Sequence, residues 1–183
     1  MRRIRGLPLV SALLAFAFPA HAALRIGDTA PLFTLEASMG GKAFTFALAD
    51  ALKKGPVVLY FYPAAFTPGC NIEAHDFAAA IPKFAALGAT VIGVSHDTIA
   101  TLNKFSVQEC QGKFPVAADT DLSVTKSYRA QLAPLIRYAN RTSYVIAPDR
   151  RILYTYSDLS PDDHVANTMR AVEDWRAHNP PIQ

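Results

Sequence analysis

Runs of apolar, β-forming residues recur between residues 23 and 183 and predict a series of strands. The run at Pro56–Tyr62 is continuous and apolar, and Ala89–Ser95 is a second, mostly apolar run; both are typical of strands that are buried on both faces of a sheet. The other predicted strands are the hairpin Phe33–Leu35 and Ala43–Leu48 around Gly40-Gly41, the strand Phe114–Ala118, and the antiparallel pair Thr142–Ala147 and Ile152–Tyr156.

Helices are predicted between these strands, at about Asn71–Leu87, Thr98–Glu109, Leu122–Tyr128 and Pro161–Ala177. Asp97 or Thr98 is expected to cap the second helix, and Ser160 the last one, with Pro161 at its first position. Because strands alternate with helices and the chain ends in two strands and a helix, the pattern predicts an α/β, thioredoxin-like fold. That fold has a mixed central sheet flanked by helices, here with an N-terminal β-hairpin.

The first 22 residues have the composition of a secretory signal peptide. Arg2, Arg3 and Arg5 precede the apolar run Leu7–Phe18, and the sequence Ala20-His21-Ala22 offers a cleavage site with small residues at its first and third positions. That run is shorter than the roughly 20 residues that span a membrane. We therefore expect residues 23–183 to be the mature domain, exported to an oxidising compartment without stable membrane insertion, and periplasmic in a Gram-negative source. Retention of the segment as a membrane anchor is the alternative.

The composition excludes several classes of protein. A chain of 183 residues with 51% hydrophobic and 18% charged residues is expected to fold as one domain. The net charge of +3 comes from the three arginines of the first 22 residues, so the rest of the chain is neutral and does not favour nucleic-acid binding. The five histidines show no ligand spacing with the cysteines, and no phosphate-binding loop occurs, so neither a metal nor a cofactor is expected.

Two cysteines are present, and Cys70 has the setting of a reactive thiol. It follows a predicted buried strand and opens a predicted helix, where free amide groups and the helix dipole favour the thiolate. Pro63, Pro68 and Gly69 fix the turn before it, and Thr67 places a hydroxyl that can donate to the sulfur three residues ahead. Because an inert core cysteine needs no such turn, we interpret Cys70 as a nucleophile.

The string Pro63-x-x-x-Thr67-x-x-Cys70 resembles the signature of the peroxiredoxins, a family of thiol peroxidases. The longer run YFYPAAFTPGCNIEAHDF is most similar to the peroxiredoxin Q branch, also called bacterioferritin comigratory protein. The resemblance extends from about Gly27 to the C-terminal helix. It implies that Cys70 is the peroxidatic cysteine and that Pro63 and Thr67 shape its pocket.

The same family pattern places an arginine at the start of a later strand, and Arg141 in the run RTSYVI fits it. A guanidinium beside Cys70 would stabilise the thiolate and hydrogen-bond the peroxide oxygens. Glu73 faces the same side of the helix as Cys70, and the resemblance implies that it orients the arginine. The alternative for Glu73 is an exposed acid that favours the helix dipole. Tyr62 and Phe66 are expected either to wall the pocket or to fill the core.

Three interpretations of Cys110 stay open. Many members of the peroxiredoxin Q branch carry a resolving cysteine five residues after the peroxidatic one, where this chain has His75. Other members carry it on the next helix, and Cys110 ends that predicted helix. Because two free thiols are disfavoured in an oxidising compartment, we favour Cys110 as a resolving cysteine that forms a disulfide with Cys70. A spare thiol and half of a static disulfide are the alternatives.

The resemblance thus implies a thiol-dependent peroxidase that reduces hydrogen peroxide and organic hydroperoxides at Cys70. An intrachain disulfide with Cys110 would be recycled by a thioredoxin-like dithiol reductant, and the enzyme is expected to be a monomer. One competing class is a secreted thiol–disulfide oxidoreductase, which is disfavoured because Thr67 stands where a C-x-x-C pair has its first cysteine. Another is a non-catalytic thioredoxin-fold binding module with a structural disulfide.

Overall fold

The computed structural model describes residues 23–180, so the predicted signal peptide 1–22 and residues 181–183 lie outside the described residues. The strands are β1 (Thr34–Met39), β2 (Lys42–Ala47), β3 (Val57–Phe61), β4 (Thr90–Ser95), β5 (Val116–Ala118), β6 (Gln131–Ala133), β7 (Ile136–Ala139), β8 (Thr142–Ile146) and β9 (Ile152–Ser157). The helices are α1 (Leu48–Leu52), α2 (Pro68–Ala86), α3 (Ile99–Gln108), α4 (Ser123–Ser127) and α5 (His164–His178).

One seven-stranded mixed sheet forms the centre of the fold, in the order β2-β1-β5-β4-β3-β8-β9. Its middle strands β3, β4 and β5 run parallel, whereas β1 and β8 join them antiparallel on either side. The first two strands pair as the predicted hairpin. The prediction of an α/β, thioredoxin-like fold with a mixed sheet is therefore confirmed.

Side chains of β3 alternate between the two faces of the sheet, as the twofold period of a strand requires. Leu59 and Phe61 pack on the face that α1 and α4 cover. Val58, Tyr60 and Tyr62 pack on the opposite face, against buried residues of α2, α3 and α5. The second face also carries both cysteines, so the candidate chemistry lies on one side of the sheet.

The structure differs from the predicted elements mainly at their ends. Ser160 does not cap the last helix, because its hydroxyl donates to Asp162 in the turn that precedes α5, and the helix starts only at His164. Thr98 caps α3 as predicted, by accepting from the N–H of Thr101. The short helix α1 and the hairpin β6–β7 were not predicted. Across residues 23–180, no helix combines the length and apolar character that crossing a membrane requires.

Candidate active site

Cys70 lies in the first turn of α2, where the chain turns from an extended segment into the helix. Thr67 precedes the helix with extended backbone angles, and Pro68 begins it. Proline suits this position because an N–H there would have no partner within the helix. Only 2% of Cys70 is exposed, and its sulfur lies at the helix end where the dipole favours a negative charge. The turn therefore places the sulfur where a thiolate is stabilised.

Arg141 approaches Cys70 from the neighbouring strand. The register of β3 and β8 pairs Phe61 with Thr142, so Arg141 lies just beyond the end of β3, near the loop that leads to α2. Its Nη2 donates to Sγ of Cys70 at 3.5 Å. Gly69 leaves room for this approach, because a Cβ atom at that position would lie 3.1 Å from the same Nη2, a tight contact.

Two other partners orient the guanidinium. Nε of Arg141 donates to the carbonyl oxygen of Leu159 at 2.9 Å, and Nη1 donates to Oε2 of Glu73. Arg141 is only 3% exposed and Glu73 is completely buried, so Glu73 is not an exposed first-turn acid. Since each of the three nitrogens has its own acceptor, the plane of the guanidinium is fixed and Nη2 is directed at the sulfur.

Glu73 carries the most perturbed carboxyl group of the site. Burial raises the pKa of Glu73 to about 8, against the opposing effect of Arg141, which lowers it. Its Oε2 accepts from Arg141, whereas the buried Oε1 has no hydrogen-bond partner. The buried ring of His164 lies nearby, with its Nδ1 3.7 Å from Oε1.

Residues that follow β4 hold the loop between β3 and α2. Oδ2 of Asp97 accepts from the N–H of Ala65 and from the hydroxyl of Ser95, each at 2.8 Å. The ring Nδ1 of His96 lies 3.1 Å from the carbonyl oxygen of Pro63 and must donate to it, since a carbonyl oxygen only accepts. Asp97 therefore anchors the active-site loop and does not cap α3.

The hydroxyl of Thr67 has a different partner from the expected one. Its Oγ1 donates to the carbonyl oxygen of Ala64 at 3.0 Å, at an exposed position. In this structure the hydroxyl stabilises the turn, and rotation about one side-chain bond would release it to another acceptor. Thr67 and Pro63 thus both shape the loop around Cys70.

The two aromatic residues expected at the pocket differ in role. Phe66 is 39% exposed, has a backbone φ of 63°, and packs edge-on against Phe105 with ring centroids 5.3 Å apart. Tyr62 is completely buried and stacks on the same ring at 5.6 Å. Phe66 therefore lies at the surface of the active-site loop, and Tyr62 is a core residue beneath it.

Cys110 follows the end of α3 and is completely buried. It is a free thiol, as is Cys70, and both belong to the same cluster of buried side chains. Burial raises the pKa of the Cys110 thiol far above its usual range, with a smaller contribution from Glu109. In this arrangement Cys110 is therefore a neutral thiol, out of reach of solvent.

His75 links the two helices that carry the cysteines. It lies on α2, five residues after Cys70, and its Nε2 is 2.9 Å from Oε2 of Glu109. Glu109 directly precedes Cys110 in the chain. The histidine is half-exposed, and it ties α2 to the end of α3 without contacting the sulfur of either cysteine.

Sequence reasoning missed His164, which is completely buried at the start of α5. Its ring lies 2.7 Å from Oγ of Ser143 and 3.0 Å from the carbonyl oxygen of Asp158. His164, Thr168 and Val172 are spaced four residues apart, so their side chains share one face of α5, and that face is buried. This spacing was the signal in the sequence that could have identified His164. A histidine on such an inward-facing row needs buried polar partners.

The arrangement can perform nucleophilic chemistry at sulfur. It combines a cysteine at a helix N-terminus, an oriented guanidinium within hydrogen-bond distance, and a buried carboxyl group that holds the guanidinium. Residues 23–180 contain no group of three or more His, Cys, Asp or Glu side chains arranged to hold a metal ion. Fold and site together define a thioredoxin-fold protein with a buried cysteine at the start of a helix, beside an arginine.

Comparison with known proteins identifies the family. The chain belongs to the AhpC/TSA family, whose model matches residues 26–155. A Mycobacterium tuberculosis protein provisionally named a peroxiredoxin is 34% identical over 156 residues, which cover 81% of this chain and 98% of the relative. Peroxiredoxin Q from the chloroplast of Oryza sativa subsp. japonica is 31% identical over 148 residues, which cover 80% of this chain and 66% of the relative.

Solved structures agree with this assignment. Peroxidoxin BcpB from Mycobacterium tuberculosis superposes with a TM-score of 0.75 at 30% identity, covering 82% of this chain and 97% of that one. A cysteine-to-serine mutant of PrxQ from Xylella fastidiosa superposes with a TM-score of 0.72 at 26% identity, covering 86% of this chain and 98% of that one. The predictions of a peroxiredoxin of the Q type and of a thiol-dependent peroxidase are thus confirmed.

Proposed function

We propose that Cys70 is the peroxidatic residue and that the protein reduces hydrogen peroxide and small organic hydroperoxides with it. The observation that carries this proposal is the hydrogen bond from Nη2 of Arg141 to Sγ of Cys70. The thiolate attacks the terminal peroxide oxygen, so a sulfur–oxygen bond forms while the oxygen–oxygen bond breaks. The leaving oxygen takes the bonding electron pair and one proton, which yields water or an alcohol and leaves a sulfenic acid on Cys70.

Arg141 and the loop residues have separate parts in this step. The guanidinium stabilises the thiolate and can donate to the peroxide oxygens as charge moves from the sulfur to the leaving oxygen. Pro63 and Thr67 shape the loop, and the Thr67 hydroxyl can turn from the backbone to a bound peroxide. Glu73 holds the guanidinium in its orientation.

Cys110 is proposed as the resolving cysteine. Its thiol would attack the sulfenic acid of Cys70, forming the disulfide and releasing water. Because Cys110 is completely buried and burial raises the pKa of its thiol, we propose that the first turn of α2 and the end of α3 open, so that the thiol can ionise and reach Cys70. A thioredoxin-like dithiol protein would then reduce the disulfide by exchange.

The competing function of a thiol–disulfide oxidoreductase has less support. Such an enzyme needs two cysteines in one exposed motif, and here the residue three positions before Cys70 is Thr67. The second cysteine is buried at the end of another helix. Reduction of insulin disulfides would be the activity of such an enzyme, and we expect none.

Peroxide consumption under a defined reductant tests the proposed function. With thioredoxin, thioredoxin reductase and NADPH, we expect the purified protein to oxidise NADPH only when hydrogen peroxide is present. Cys70→Ser should lose this activity completely. Cys110→Ser is the matched control, since it changes the other cysteine and should still turn over with a small-molecule dithiol. NADPH oxidation by Cys70→Ser at the wild-type rate would contradict the assignment.

We also propose that the protein is exported and acts as a monomer. The export proposal is supported by the pattern of residues 1–22, which lie outside the described residues. It places the protein in the periplasm of a Gram-negative source, where a disulfide can persist. The monomer is supported by family resemblance, and analytical ultracentrifugation of the reduced protein tests it.

A further inference from the structure

His164 is buried beside the pair that Arg141 forms with Glu73. Its Nε2 lies 3.0 Å from the carbonyl oxygen of Asp158, and because a carbonyl oxygen only accepts, Nε2 carries a hydrogen. Its Nδ1 lies 2.7 Å from Oγ of Ser143 and 3.7 Å from Oε1 of Glu73. The ring is completely shielded from solvent, so its protonation depends on these neighbours.

Oε1 of Glu73 has no hydrogen-bond partner, although Oε2 accepts from Arg141. A buried carboxylate oxygen without a partner is costly. A proton on Oε1 removes this cost when the carboxyl group donates to Nδ1 of His164, and a proton on Nδ1 does so when Nδ1 donates to Oε1. In either case the hydroxyl of Ser143, which lies 2.7 Å from Nδ1, gives up that contact. A shift of about 1 Å would close the remaining gap to ordinary hydrogen-bond length.

Four buried ionisable residues make up what we call the charge cluster: Cys70, Glu73, Arg141 and His164. When Cys70 is a thiolate, its charge and that of Arg141 cancel. One proton held between Glu73 and His164 then makes the whole cluster neutral. Without that proton the cluster would carry a buried negative charge that has no counter-charge, which is strongly unfavourable.

The surroundings of the cluster support one such proton. Burial raises the pKa of Glu73 to about 8 and lowers the pKa of His164, so burial favours the uncharged form of both groups, which together carry one such proton. The other titratable groups that face Glu73 are Asp76 on α2 and Tyr60 on β3, and those that face His164 are Asp158, Asp163 and Tyr156.

We propose that Glu73 and His164 hold one proton between them while Cys70 is a thiolate and release it when Cys70 becomes a sulfenic acid. Oxidation removes the negative charge on sulfur and leaves Arg141 uncompensated, which favours loss of the shared proton. The pair gives up one proton in the step in which the leaving oxygen takes one. His164 is then a positioning residue that acts on Cys70 through Glu73 and Arg141. This inference rests on the proposed function.

Nuclear magnetic resonance tests the shared proton directly. The signals of the Glu73 carboxyl carbon and the His164 ring nitrogens would be followed between about pH 5 and pH 9 in the reduced protein and in Cys70→Ser. Ultraviolet absorbance of the thiolate identifies the pH range in which Cys70 of the reduced protein is ionised, and the two proteins are compared within that range. We expect the pair to bind its proton at least tenfold more weakly in Cys70→Ser, which lacks the negative charge. Equal proton affinity in the two proteins would overturn the proposal.

Kinetics provide a second, independent readout. Loss of the shared proton leaves a charged Glu73 beside Arg141, which weakens the effect of the guanidinium on the thiolate, so we expect the rate of Cys70 oxidation to fall at alkaline pH. In His164→Asn, an amide can donate to Oε1 and favours the carboxylate, so this fall should move about one pH unit lower, a tenfold change in proton affinity. His75→Asn is the matched control, because this histidine lies on α2 outside the cluster and should leave the profile in place. An unmoved profile in His164→Asn would contradict the proposal.

Failure of the shared-proton proposal can be distinguished from failure of the proposed function. If Cys70 is not the peroxidatic residue, the wild-type protein itself fails to react rapidly with peroxide, whatever the resonances of Glu73 and His164 show. If only the shared proton is wrong, the wild-type protein reacts rapidly while the two titrations do not depend on Cys70. The resonance measurement also needs no change at His164, so it decides the question even where His164→Asn does not fold.

Discussion

Nη2 of Arg141 lies 3.5 Å from Sγ of Cys70, although 71 residues separate them in the chain. The contact exists because β8 pairs with β3 in a register that brings Arg141 to the end of β3. Gly69 leaves room for the guanidinium, which the Cβ atom of any other residue would approach to 3.1 Å. The register of β3 and β8 thus places the guanidinium of Arg141 against the sulfur of Cys70, in the space that Gly69 leaves. The proposed activity depends on this contact.

Replacing Arg141 should slow the oxidation of Cys70 strongly. Arg141→Ala removes both the positive charge and the donor to the peroxide, so we expect a loss of about 100-fold or more in the second-order rate constant. Arg141→Lys should recover only part of the rate, because one ammonium cannot bridge Cys70 and Glu73 as the planar guanidinium does. Stopped-flow measurement with hydrogen peroxide gives these rates.

Arg137→Ala serves as the control for the arginine variants. Arg137 donates to the carbonyl oxygen of Thr120 at an exposed position and has no contact with the site. Its removal should leave the rate of Cys70 oxidation within about twofold of wild type, as surface substitutions commonly do. Equal rates for wild type and Arg141→Ala would show that the guanidinium has no part in the step.

Cys110→Ser should separate oxidation from resolution. The first oxidation of Cys70 should stay nearly as fast as in wild type, since Cys110 is buried in the core and is not a partner of Arg141. Sulfenic acid should then accumulate on Cys70, and excess peroxide should convert it to sulfinic acid more readily. Mass spectrometry of the trapped protein detects each form. A wild-type protein that keeps a stable sulfenic acid while Cys110 can still be alkylated would indicate a one-cysteine mechanism.

Glu73 should make the folded protein less stable as the pH rises. Burial raises its pKa from 4.5 to about 8, so between these values the folded protein holds a proton that the unfolded chain has released. The contribution of Glu73 to stability is therefore full below about pH 4.5 and is lost as the pH rises to about 8. Relative to Glu73→Gln, the free energy of unfolding should fall by ~1 kcal/mol per pH unit in this window.

Urea unfolding of the reduced proteins at several pH values measures this difference. Residue 73 cannot titrate in Glu73→Gln, so the free energy of unfolding of this variant should not show the fall between about pH 4.5 and pH 8 that Glu73 causes. Glu36→Gln is the matched control, because it changes a carboxyl group of β1 that is not part of the site. Parallel pH profiles for wild type and Glu73→Gln would show that Glu73 titrates alike in the folded and unfolded states.

Local sequence patterns predicted much of the fold and part of the site. The apolar runs of β3 and β4 are long and uninterrupted, and the turn before Cys70 carries its own prolines and glycine, so each could be recognised without tertiary information. The hairpin β6–β7 was missed because its large apolar side chains, such as Leu135 at 95% exposure, are exposed. Periodicity indicates burial, and it fails where apolar residues face solvent.

The partners of Arg141 and Glu73 could not be predicted for a different reason. Leu159 contributes a backbone carbonyl, which no side-chain pattern reveals. His164 meets Glu73 only because α5 packs beside α2 in the folded chain. The Ser160 cap was wrongly predicted because a serine followed by proline satisfied the local rule, whereas Ser160 instead bonds to Asp162 within a turn. Contacts between distant segments decided these outcomes.

The N-terminal segment gives a prediction about processing. We expect residues 1–22 to be removed on export, so that the mature protein begins near Ala23. N-terminal sequencing of the protein recovered from the periplasmic or extracellular fraction checks this expectation. Replacing Leu13 and Leu14 with Asp should block export by interrupting the apolar run, with the uncleaved chain retained in the cytoplasm. Detection of intact Met1 on soluble cytoplasmic wild-type protein would contradict the prediction.

Rapid mixing of the reduced protein with one equivalent of hydrogen peroxide, followed by mass spectrometry at each cysteine, tests the role of Cys70 most directly. The proposed function predicts fast loss of two thiols in wild type, with an intrachain Cys70–Cys110 disulfide that a dithiol reverses. It predicts a single oxidised thiol, at Cys70, in Cys110→Ser, and no fast reaction in Cys70→Ser. A wild-type Cys70 that stays unmodified, or a Cys70→Ser variant that still consumes peroxide rapidly, would contradict the assignment of Cys70 as the peroxidatic residue.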